Sequence, residues 1–104
     1  ERSRAEPPGS PAAQPPRDDV PLITIENGQP VGGVQDLTFE SGTDIRFAVR
    51  SDVADEAHLH GYDFSKPVEP GVAERFDLPA DIEGVFELEL EERGVTIAEI
   101  SVVP

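Results

Sequence analysis

From Val20 onward, apolar and polar residues alternate in short runs separated by Gly, Pro, Asp and Asn. A period of two with frequent turn residues predicts an all-β sandwich rather than packed helices. The clearest run is Val85 to Glu91, where Phe86, Leu88 and Leu90 fall on one face and Glu87, Glu89 and Glu91 on the other. The same reasoning predicts strands over 21–26, 37–40, 44–50, 57–63, 73–78, 84–91 and 95–103. In the last of these the apolar parity switches between Val95/Ile97 and Ile100/Val102, which predicts a β-bulge near Ala98-Glu99. Turns are expected at Asn27-Gly28, Gly32-Gly33, Ser41-Gly42, Pro70-Gly71 and Arg93-Gly94. Pro79 to Ile82 is the one stretch suited to a short helical turn. Phe39, Ile45, Phe47, Phe86, Leu88, Ile97 and Ile100 are the expected core.

Residues 1–19 break this pattern. They hold five of the eleven prolines and no aliphatic side chain larger than alanine, so they cannot bury enough surface to offset ordering. They are expected to form a disordered proline-rich tether, with residues 20–104 as one folded domain. No apolar run approaches the roughly 18 residues of a spanning helix.

Eight basic and 22 acidic residues give a formal charge of −14 over 104 residues. The first 19 carry three basic and four acidic residues, so −13 of that charge belongs to residues 20–104. Such a surface repels the phosphate backbone, which excludes nucleic acid as a partner. Its ordinary role is to keep a domain soluble; a cation-collecting or basic-partner surface is the sharper alternative. With no cysteine the chain forms no disulfide and carries no mark of a redox compartment. It opens at Glu1 rather than methionine, which is compatible with a cleaved leader.

Candidate chemistry concentrates in His58-Leu59-His60-Gly61-Tyr62-Asp63-Phe64. In an extended strand His58 and His60 point the same way with β-carbons about 6–7 Å apart, within reach of one ion. Imidazole suits Cu(II), Zn(II) and Ni(II), and Asp55, Glu56 or Asp63 are the carboxylates expected to complete a nitrogen and oxygen site. A bare His-x-His supplies only two of the usual four ligands, so the competing reading has one imidazole packed under a loop and the other solvated or bonded to a carboxylate. Tyr62 and Phe64 share the histidines' parity and are expected on the same face, as core packing before any ligand surface. The carboxylates at 52–56 and 79–84 follow no calcium-loop spacing and read as turn chemistry. No serine or threonine near the histidines suggests a triad, and the Glu87, Glu89, Glu91 row reads as a solvent face, so no catalytic residue is assigned.

With these strands in place the chain resembles the cupredoxin-like family, in particular small extracytoplasmic domains of bacterial lipoproteins and secreted proteins. The likeness rests on Gly28-Gln29-Pro30-Val31-Gly32-Gly33, Asp44 to Val49, His60-Gly61-Tyr62, Val68-Glu69-Pro70-Gly71, Gly84 to Leu88 and the closing Ile97 to Pro104. It implies a Greek-key sandwich in which His60 matches the family's first histidine ligand. The family's cysteine then falls at Leu90 or Glu91 and its axial methionine near Thr96, and no histidine occurs in Glu92-Arg93-Gly94. A type 1 centre needs a thiolate, so that copper chemistry is excluded. The resemblance therefore implies a non-catalytic, monomeric binding or accessory module outside the cytoplasm. Its site is degenerate, it carries no cofactor, and its partner is a protein or the envelope. A metal-handling protein that binds Cu(II) or Zn(II) through His58 and His60 is the alternative.

Overall fold

The computed structural model describes residues 20–104; the tether expected over 1–19 lies outside the described residues. Nine strands follow one another: β1 (Leu22–Glu26), β2 (Gln29–Pro30), β3 (Gln35–Glu40), β4 (Asp44–Ser51), β5 (Asp55–Leu59), β6 (Phe64–Val68), β7 (Ala73–Pro79), β8 (Gly84–Leu90) and β9 (Val95–Val103). They form two mixed sheets, one ordered β2-β1-β4-β7 and the other β3-β9-β8-β5-β6. The all-β sandwich expected from alternation is present, with two strands more than the sequence suggested.

The first addition, β2, closes a hairpin on β1 through Asn27-Gly28, where both residues take positive φ (54° and 74°). That is the geometry a two-residue turn needs to match strand twist. The second comes from a split. The run expected as one strand over 57–63 ends at Leu59, reverses through His60–Asp63, and returns as β6 with Phe64 opposite Leu59. Directly paired residues share a face, so Phe64 points inward with Leu59, whereas His58 and His60 point outward. The single aromatic and imidazole stripe is therefore corrected: Tyr62 and Phe64 pack against the core and the histidines do not. Nor does a helical turn form over 79–82, because Pro79 ends β7 and the segment after it runs irregularly to β8.

The β8–β9 ladder shifts register where Leu88 faces Ala98 and Glu89 faces Thr96, leaving Ile97 as the extra residue. The expected bulge thus exists one residue early, and Ile97, Ala98, Ile100 and Val102 are all buried. Between the sheets lie Ile23, Ile25, Ile45, Phe47, Val49, Phe76, Leu59, Leu88 and Leu90, with Phe47 and Phe76 stacked at 4.7 Å and 12°. Phe39 and Phe86, expected in the core, are only half-buried at its margin.

Phe86 instead fastens the 60–63 turn. Tyr62 meets it edge-on at 4.9 Å, and the Tyr62 hydroxyl donates to the Ile82 carbonyl (2.7 Å) while accepting from the Ile82 amide (2.9 Å). Gly61 has φ +90°, and a methyl there would overlap Cδ1 and Cε1 of the Phe86 ring. Gly61→Ala is therefore expected to cost about 2–3 kcal/mol, from left-handed strain together with the overlap, read as a lowered Tm.

β6 and β7 are edge strands of different sheets. Lys66 on β6 donates to the Arg75 carbonyl of β7 (2.7 Å), pairs with Glu74 (3.1 Å) and lies over Phe76.

Candidate functional site

β5 and β8 pair antiparallel with Ala57 opposite Leu90, His58 opposite Glu89 and Leu59 opposite Leu88. Because side chains alternate, the apolar partners seal the core while His58, His60, Glu87 and Glu89 stand together on the outer face of the larger sheet. His58 Nδ1 lies 2.8 Å from Glu91 Oε2, and His60 Nε2 lies 2.8 Å from Glu89 Oε1. The two imidazoles tilt against each other with centroids 4.5 Å apart. His58 is the more sheltered, its side chain 20% exposed against 46% for His60.

Both histidines, rather than one, are thus bonded to carboxylates. Of the carboxylates expected beside them, Asp63 reaches His58 Nε2 at 3.8 Å and Glu56 shares the outward parity. Asp55 faces the other way, into the protein. Glu89 and Glu91, read from sequence as a solvent row, are the nearest partners. The outward parity of that row was visible in the chain; the pairing of β8 with β5 was not.

The same face carries a row of like charges. Asp36 is opposite Glu99 across β3 and β9, Glu99 is opposite Glu87 across β9 and β8, and the His60 amide bonds the Glu87 carbonyl. Facing carboxylates repel, so this row raises the local concentration of cations beside the imidazoles.

A second polar centre occupies the end of the sandwich at the β8–β9 turn. Asp55, its side chain fully buried, accepts from the amides of Glu56 (2.6 Å) and Glu92 (2.9 Å) and from Arg93 Nη1 (2.9 Å). Burial acts to raise its pKa, but the Glu92 and Glu56 amides and the Arg93 guanidinium outweigh it and hold the carboxyl below its ordinary value. Arg93 also donates to the Ala54 carbonyl (3.0 Å) and packs over Gly28 in the β1–β2 turn. Asp52 accepts the Asn27 amide through both oxygens (3.0 and 2.8 Å), which is the turn chemistry expected of the 52–56 loop.

Of the positions that the cupredoxin resemblance assigned to metal ligands, His60 and Glu91 are far apart along the backbone, and only their side-chain tips lean together over His58. Glu91 sits beside Glu56, through a bond from its amide to the Glu56 carbonyl, whereas His60 sits beside Glu87. The His60 backbone is therefore four residues along the strand from that end, about 13 Å away. On β5 it is Asp55 that faces the β8–β9 turn. Leu90 is buried in the core, Thr96 lies opposite Glu89, and the chain has neither cysteine nor methionine. These residues do not fit a type 1 copper ion.

No helix among the described residues is long and apolar enough to cross a membrane. No family model and no curated protein sequence matches the chain. Solved structures do. The chain is similar to a purple cupredoxin from Nitrosopumilus maritimus, with 16% identity over 79% of this chain and 98% of that one and a TM-score of 0.56. It is similar to a reduced mutant of amicyanin at 11% identity, covering 82% and 83% of the two chains, with a TM-score of 0.54. It also matches a multi-copper oxidase from Pediococcus acidilactici at 13% identity and a TM-score of 0.60, covering 86% of this chain but only 28% of that one. At such identities the likeness is one of architecture, and it agrees with the order of strands and turns read from the residues. The domain over residues 20–104 is cupredoxin-like in fold.

Proposed function

We propose that this chain is a non-catalytic accessory module that acts outside the cytoplasm, secreted, periplasmic or lipid-anchored. It uses a cupredoxin-like scaffold without electron transfer. The observation that carries this reading is the Asp55–Arg93 pair. At the turn after β8, where the resemblance places a thiolate and a metal cation, the chain sets a guanidinium against a buried carboxylate. The protein supplies both charges itself, so this end is held together without an ion. The acidic outer face of the larger sheet then serves as the surface offered to a protein or envelope partner, and residues 1–19 serve as the tether that presents it.

Two measurements test the reading. Titration of the full chain with Cu(II) is expected to give no intense thiolate-to-copper absorption in the visible and no reversible one-electron couple. Fractionation of the native cells is expected to place the protein outside the cytoplasm. A coloured, redox-active complex, or a wholly cytoplasmic protein, would overturn it.

A further inference from the structure

We infer that the outer face of the larger sheet carries an open binding site for a divalent transition ion, Cu(II) or Zn(II), made by His58, His60 and Glu91 and leaving one coordination position for an outside ligand. This goes beyond the accessory reading, which needs no metal. One ligand atom from each of the three residues lies within 4.8 Å of the other two, close enough for one ion to draw them in by small side-chain rotations.

The donor chemistry selects the class of ion. Two imidazoles and one carboxylate favour borderline metals over calcium or magnesium, which take oxygen shells. Three protein donors also leave a tetrahedral ion one place short, the arrangement of an exchangeable rather than a purely structural site. Glu89 is the positioning residue. It holds His60 Nε2 at 2.8 Å, which fixes the ring and leaves Nδ1 as the free donor. His58 holds Glu91 through Nδ1 and keeps Nε2 on the side of Asp63, 3.8 Å away. On binding, the ion replaces the proton shared between His58 and Glu91, which leaves to solvent. The row Asp36, Glu99 and Glu87 supplies the attractive field and no imidazole.

The site stands on rigid elements. His58 is within β5, Glu91 directly follows β8, and His60 opens the turn clamped by Gly61, Tyr62 and Phe86.

The test is a titration of the full chain with zinc sulfate, and separately copper sulfate, followed by NMR of the imidazole resonances and by calorimetry. One equivalent is expected to saturate at micromolar metal and to shift His58 and His60 together, while calcium at the same concentration leaves them in place. His60→Gln is expected to abolish the stoichiometric phase, and Glu89→Gln to weaken it about tenfold. The double change Glu87→Gln and Glu99→Gln, on the same face without a ligand, is expected to keep the stoichiometry. Thermal unfolding of each metal-free variant is expected to match the parent, since all these side chains lie on the outer face. Binding that survives His60→Gln, that calcium reproduces, or that disappears with Glu87 and Glu99 while both histidines remain would reduce the site to a diffuse acidic surface and overturn the inference.

Discussion

Phe47→Ala is expected to leave the domain barely folded at room temperature. Phe47 is fully buried, sits directly opposite Phe76 in the β4–β7 ladder, and stacks on it at 4.7 Å. Phe64 of the larger sheet meets Phe76 edge-on at 6.0 Å, so removing the Phe47 ring opens a void in an aromatic cluster that spans both sheets. Losses of this kind cost about 3–5 kcal/mol. A domain of this size has about 5–10 kcal/mol in total. Denaturant unfolding by circular dichroism is the measurement. A midpoint within experimental error of the parent would mean that the two sheets do not pack as described.

Asp55→Ala is expected to be nearly as damaging, by about 3 kcal/mol, for a different reason. It leaves the Glu56 and Glu92 amides turned toward a buried site with no acceptor and takes the ion-pair partner from the part-exposed Arg93, and unpaired polar groups at a buried site are costly. Asp55→Asn, which keeps one acceptor and loses the charge, should cost about 2 kcal/mol. The pH dependence separates charge from shape. Because the folded carboxyl has a lowered pKa, its contribution is fully present above the ordinary aspartate value of about 4 and is lost as pH falls through the lower folded value. The stability difference between parent and Asp55→Asn should therefore be constant near neutrality and shrink below about pH 4. A difference that stays constant into acid would show that the charge contributes nothing.

Alternation over Val85 to Glu91 and over Asp44 to Val49 was enough to read the sandwich, because each strand has one dry and one wet face. The missed strands have a common cause. A short loop whose end residues pair directly keeps the numerical parity of side chains while exchanging their faces, so His58 and Phe64 looked alike in the chain and lie on opposite faces of the sheet. The site was legible only by halves for the same reason. His58 and His60 were evident, whereas Glu89 and Glu91 became their partners through the β5–β8 pairing, which joins positions 29 to 33 residues apart and leaves no local trace. In the chain Asp55 is one carboxylate among several, suited to a turn or to a metal; nothing in its neighbours marks it as the one buried beside Arg93.

Lys66 has a consequence for colloidal behaviour. Its ammonium group spans the gap between two strands that end their respective sheets and occupies the Arg75 carbonyl there. A foreign β-segment seeking that margin meets a solvated cation and an occupied acceptor. Acylation of this single amine would remove the charge and leave only a neutral amide N–H for the Arg75 carbonyl, making the flank easier for such a segment to approach.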